Sequence, residues 1–430
     1  MNPWLDRFER GYALLVMLYF SGCLTNIMNG SILLPQESTP EINVISSPIV
    51  SAFQNLLFLI LFGLIALRIK HFLPVVAKRK MLWVVVGIAI ASVMWSEVPD
   101  LTFRRGNLLL FSTLLSLYFA MRFPLQQQLH MLAQTFGILA VSNFLFTLAF
   151  PSQGINRMAH AGAWMGITLH KNGLAGLMVL GAVIFFSIVI DKRERTLATV
   201  GGLALSVLLV ILSTSRTGLS VMVLLMGLTY AFQLLRSKST FALPAFLAGF
   251  LTIAATIVLV VDNYERILTS MGRDATLTGR TTIWEVALER WAERPWFGYG
   301  YQSFWIPDQG NSLEVLYRMS WQPAHGHNGF LDLLVELGAV GFVAFAISLL
   351  VAFKRAIAWY KLNPNATGTL PLISFCYVIM YNLTESSLLF TPNGINWFLY
   401  VLMSTSILIQ TFPVMSASET RLEPQPLTSM

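Results

Sequence analysis

Residues 322–342 read QPAHGHNGFLDLLVELGAVGF, a polar turn bearing two histidines that runs into an apolar helix. Histidine titrates near neutrality, so His325 and His327 are candidates to take a proton from a hydroxyl. Asp332 and Glu336 follow on one helix face, a turn apart; they can orient a histidine, line a polar cavity or form a packing hydrogen bond. Arg216, in STSRTG, lies in a very short link between two apolar segments. An ionisable group at that depth is costly and by default marks function, the alternative being an arginine that snorkels to headgroups. Arg280, in TGRTTIW, opens an amphipathic stretch, near where helix amide groups attract anions. Two guanidiniums beside a helix amino terminus suit phosphate or pyrophosphate, whose oxygens they grip in pairs.

Metal chemistry fits these residues poorly. His160, His170, His325 and His327 form no H-x-x-x-H pair, and Cys23 and Cys376 both fall inside apolar stretches. We therefore expect no metal and no cofactor.

The elements that must position these groups follow from composition. The chain has 430 residues, 55% hydrophobic and 11% charged, with a mean hydropathy of +0.66. A soluble domain could not hide so much apolar surface, so lipid must be the solvent for much of the chain. Spanning helices need about 20 apolar residues each. The expected class is an all-α polytopic membrane protein with about twelve transmembrane helices, near 11–34, 48–67, 81–95, 107–121, 129–150, 173–190, 197–212, 217–235, 241–261, 329–353, 370–386 and 393–412. The pair 197–212 and 217–235 could also be one broken hairpin.

With a cytoplasmic amino terminus, most Lys and Arg fall in inner loops such as RIKHFLPVVAKRK (68–80), DKRER (191–195) and KRAIAWYK (354–361). That is the positive-inside pattern, so the net charge of +7 is a topology signal and implies no nucleic-acid partner. The outer loops then hold WSEVPDLTFRRG (95–106), GINRMAHAGAWMGITLHKNG (154–173), STSRTG (213–218), residues 262–328 and SSLLFTPNG (386–394). We divide the chain into membrane helices over 1–261, a large outer loop over 262–328, further membrane helices over 329–412 and a cytoplasmic tail over 413–430. In the loop, TIWEVALERWAERPW starts with Thr282 and Glu285 at capping-box spacing. Ile283, Trp284, Ala287, Leu288 and Trp291 then recur at helical spacing, and RPWFGYGYQSFW (294–305) reads as a tight, structured turn.

His327-Asn328, nine residues, Gly338, two residues and Gly341 match at every position the carboxy-terminal signature of the O-antigen ligase and Wzy-type polymerase superfamily. STSRTG is similar to its arginine motif, and TGRTTIWEVALERWAERPWFGYGYQSF resembles its long outer loop. The resemblance runs from about 154 to 345 and implies a GT-C-like membrane glycosyltransferase. Its donor would be a glycan on undecaprenyl pyrophosphate, in the outer leaflet of the bacterial inner membrane. By the same resemblance His327 would be the base. Arg216 and Arg280 would hold the pyrophosphate, and transfer would invert the anomeric centre without metal or nucleotide sugar.

GAWMGITLHKNGLAG (162–176) resembles exopolysaccharide polymerases of the succinoglycan type, which commonly carry a basic residue where this chain has Met165. This favours a polymerase extending a growing glycan over a ligase transferring it to lipid A-core, and it leaves room for a chain-length regulator. His170, Lys171 and Arg105 become candidate glycan or phosphate contacts, with His325, Asn328, Asp332 and Glu336 as substrate-binding or supporting residues. The rival from another class is a transporter of lipid-linked glycan. That reading calls for two related halves and ionisable groups near mid-membrane, whereas no internal repeat is obvious and the polar groups concentrate outside.

Overall fold

A computed structural model describes residues 3–33, 47–157, 160–191, 194–236, 280–306, 312–319, 323, 325–363, 365–386 and 394–411. Among them the ordered elements are helical, and strand pairing is limited to one isolated bridge, Ile155 with Trp164. Five helices are long and apolar enough to cross a membrane: Pro48–Leu67, Leu125–Ala149, Lys171–Ile190, Arg216–Leu234 and Gly329–Leu362. Lys80–Met94, Leu197–Leu212 and Ile395–Gln410 are shorter apolar helices. The protein is an all-α polytopic membrane protein.

One expectation changes. The stretch 11–34 is not one helix: it breaks into Pro3–Phe20 and Cys23–Met28 at Gly22, whose φ of 80° ends helical winding. The stretch 241–261, the loop start 262–279 and the tail 413–430 lie outside the described residues.

Lys171–Ile190 is apolar on every side and therefore sits at the centre. Leu125–Ala149, Leu197–Leu212, Arg216–Arg236 and Ala366–Asn382 pack around it. Each half of the expected hairpin 197–235 leans mainly on this helix rather than on the other half. Small residues permit the approach: a Cβ at Gly176 would stand 2.6 Å from the Tyr381 hydroxyl, and one at Gly218 2.7 Å from Ala175. Tyr377 and Tyr381 of Ala366–Asn382 then donate to the Gly176 and Asn172 carbonyls, at 3.0 and 2.7 Å. Those bonds fix the carboxy-terminal end of Ala366–Asn382 beside the amino-terminal end of Lys171–Ile190.

Candidate functional site

Gly329–Leu362 has 34 residues, and a helix of that length is about 51 Å long against a hydrocarbon core of about 30 Å. The excess is divided off by a break at Gly338, with φ 64° and ψ −171°. A Cβ there would lie 2.3 Å from the Trp296 carbonyl oxygen. The turn-like RPWFGYGYQSFW segment fills the break. Tyr299 and Gly300 amides donate to the Val335 and Glu336 carbonyls at 3.0 and 2.8 Å, and the Ala339 and Val340 amides donate to Pro295 and Trp296 at 2.8 and 3.1 Å. These four exchanges pair backbone groups that the break frees from the helix. Gly338 of the signature thus serves a helix break closed by a loop.

The section before the break carries the histidines. Asn328 caps it by accepting from the Phe330 and Leu331 amides. The Asn328 amide donates to the Ser386 hydroxyl at 2.9 Å. This ties the start of the helix to the chain just beyond Ala366–Asn382.

Glu385, next to Ser386, is the hub. Its carboxylate accepts from Arg280 Nη2 at 2.8 Å and from Asn172 Nδ2 at 3.0 Å, and it faces His327 Nδ1 at 3.3 Å. Arg280 also donates to the Thr384 carbonyl at 2.7 Å. Asn172 in turn accepts from the Ser215 hydroxyl at 3.0 Å, so the chain of contacts ends one residue before Arg216. Burial alone would raise the Glu385 carboxyl, but the His327 hydrogen bond and the His327 and Arg280 charges outweigh it and hold the group below the usual carboxylate range. An ionised carboxylate can only accept. His327 Nδ1 therefore carries the hydrogen of this contact, and in the neutral imidazole Nε2 is then the acceptor. The His327 and Arg280 side chains keep 16% and 20% of their surface open, enough for a ligand to reach them.

His325 stacks edge-on to His327, with ring centroids 4.4 Å apart, and its Nδ1 accepts from the His327 amide at 3.3 Å. Enclosure of its ring and the neighbouring His327 push the imidazole down to about 3, with His170 and Arg280 adding to the shift and Glu385 opposing it. It is therefore neutral near pH 7 and can accept that bond. His170 caps Lys171–Ile190 by accepting from the Asn172 amide, which sets Asn172 in place. Arg216 begins its helix, is exposed, and has no side-chain partner among the described residues.

Other expected residues stand apart from the hub. Arg105 donates to the Gln302 carbonyl at 2.5 Å and lies near Glu336, bracing the inserted loop. Asp332 accepts from the Gly326 amide and the Trp305 indole, so it grips the backbone of the histidine turn and not an imidazole ring. Lys171 opens the central helix. Thr282 does not cap: the loop helix begins at Arg280 and places Thr282 inside it. Its buried face is Ile283, Val286 and Ala287, while Leu288 is exposed, and the helix packs against Gly329–Leu362 and Ser312–Met319. A cavity of about 550 Å³ is lined by Trp95, Glu293, Arg294, Trp296 and Phe297, and its walls include none of the hub residues.

Glu385, Asn172, Ser386, Trp284 and Trp305 are missing from the candidates that sequence alone supplies. Glu385 had a usable signal: an ionisable residue at the end of an apolar stretch is a site candidate by default. Backbone strain marks the same region. The non-glycine residues with positive φ among the described residues are Leu169, Thr214, Gln302 and His327, at 65°, 52°, 53° and 50°. Leu169 precedes His170, Thr214 precedes Ser215, Gln302 holds Arg105, and His327 is itself at the hub. Such conformations cost about 1–3 kcal/mol each and persist where surroundings over-determine them, often at functional sites. Among the described residues no three His, Cys, Asp or Glu side chains are arranged to hold a metal ion.

Parts of the chain are similar to known proteins. Residues 201–346 match the O-antigen ligase family, a span that includes Arg216, Arg280, His327, Gly338 and Gly341. Over 278 residues the chain is 28% identical to the exopolysaccharide production protein ExoQ of Rhizobium meliloti. That alignment covers 62% of this chain and 62% of the relative's length. The chain is thus similar to the O-antigen ligase family over residues 201–346, and over a longer stretch to a protein of exopolysaccharide production.

Proposed function

We propose that the protein transfers a glycan from undecaprenyl pyrophosphate to a sugar hydroxyl with inversion, polymerising exopolysaccharide or O-antigen repeat units at the outer face of the inner membrane. The observation that carries this reading is the meeting of His327 and Arg280 on Glu385. His327 Nε2 takes the acceptor hydroxyl's proton as that oxygen bonds to the anomeric carbon. The bond from that carbon to the pyrophosphate oxygen breaks, and its electrons leave with the lipid pyrophosphate. Arg280 and Arg216 meet that growing negative charge. A pyrophosphate is already a good leaving group, so positioning and charge stabilisation suffice.

The family description supports a second reading, transfer of the finished glycan to lipid A-core. In membrane vesicles given lipid-linked repeat units, His327→Ala should lower extension about 10²–10⁴-fold while the protein still inserts. Extension at the normal rate would rule out His327 as the base. Ladders formed without lipid A-core support the polymerase; transfer only in its presence supports the ligase. A chain-length regulator would alter the ladder's length and not its formation.

A further inference from the structure

We propose that Asp332 is a positioning residue that locks the strained His327 turn so that the imidazole meets Glu385; this rests on the base assignment above. His327 sits at φ 50° in residues 326–328, and a side chain avoids that conformation unless its flanks are held. Both flanks end on one pair of side chains. Before His327, the Gly326 amide donates to Asp332 Oδ1 at 3.0 Å. After it, the Asn328 amide donates to Ser386 Oγ at 2.9 Å, and the Ser386 hydroxyl faces Asp332. The Trp305 indole adds a further donor to Asp332 Oδ1 at 2.9 Å, bringing in the inserted loop. From the opposite side the Trp284 indole donates to the Gly326 carbonyl at 2.8 Å.

Ordinary helix capping does not account for Asp332. Asn328 already takes the first free amides, while Asp332 reaches backwards out of its helix to a residue six positions earlier. Gly326 completes the fit, because a Cβ there would stand 2.5 Å from Asp332 Oδ1. None of these contacts touches the His327 ring. Asp332 therefore acts through the backbone on either side of the ring, and its loss lets the turn relax toward negative φ and carries the imidazole away from Glu385.

The test uses the full chain in vesicles with a lipid-linked oligosaccharide donor, and turnover is expressed per folded protein. Asp332→Ala should lower kcat about 10²-fold, the scale of a 1 Å misplacement, with the donor KM unchanged. Asp332→Asn keeps an oxygen for Gly326 and Trp305 and should recover most of that loss. A residue that only stabilises the fold would lower the yield and leave kcat per folded protein alone. Normal kcat in Asp332→Ala, a loss confined to KM, or an Asn variant as slow as the Ala variant would each overturn the proposal. His327→Ala run in parallel separates the two claims. If it is active, the base assignment fails; if it is inactive while Asp332→Ala turns over normally, only the positioning role fails.

Discussion

Glu9 and Glu385 are both buried carboxylates that tie several helices together, at opposite ends of the bundle. Glu9 accepts from Arg68 Nε and Nη2 at 2.9 and 3.1 Å, from the Tyr118 hydroxyl at 2.6 Å and from Arg122, which also binds Asp6. Every charge there is answered within the cluster, at the end where the basic loops gather. Around Glu385, one carboxylate serves Arg280 and His327, and the chain of contacts ends at Ser215, beside Arg216, which is exposed and has no side-chain partner among the described residues. A saturated cluster fastens helices. One that leaves a guanidinium exposed can, on the proposed function, also meet an anion.

Four variants can break or sharpen that contrast. Glu385→Gln should cost the most turnover, about 10³–10⁴-fold, because an amide no longer enforces the Nδ1–H tautomer of His327. Normal transfer rates in vesicles would remove Glu385 from the mechanism. Glu9→Gln should instead destabilise the fold by about 3–5 kcal/mol through uncompensated arginines, with turnover per folded molecule unchanged, read by thermal unfolding in detergent. Arg216→Ala should lower transfer about 10²–10³-fold. Arg216→Lys should restore only part of it, since an ammonium cannot grip two oxygens as a fork does.

The smallest effect concerns acid stability. The folded His325 imidazole titrates at about 3 against an ordinary 6.5. Between those values the unfolded chain binds a proton that the folded chain refuses, so stability is lost as pH falls through that window. His325→Asn keeps an acceptor for the His327 amide and removes the proton. Its unfolding temperature should vary less with pH from 6.5 down to 3 than that of the wild type.

Much of this was open to reading in advance because membrane helices announce themselves by apolar length. Stretches such as 48–67, 173–190 and 197–212 coincide closely with the helices Pro48–Leu67, Lys171–Ile190 and Leu197–Leu212. The histidine signature and Arg280 were legible from type and spacing, and Arg280 and His327 do meet. Glu385 escaped because the apolar stretch 370–386 swallowed it, and its partners Asn172 and Arg280 are more than a hundred residues away in the chain. Asn172 escaped for a related reason: beside His170 and Lys171, a neutral amide carries no charge signal. The role of Gly338 could not be inferred either, since a glycine that admits a neighbouring helix and one that breaks its own look alike in sequence.

The break at Gly338 also separates two jobs within one rod. Residues 339–362 alone are about 36 Å long, enough to match the lipid, and they can tilt when the bilayer thins or thickens. The nine residues before the break are tethered to the inserted loop and to Ser386, so their height is set by protein and not by lipid. The position of His327 is thus set by contacts with protein, while the longer section answers to the thickness of the bilayer.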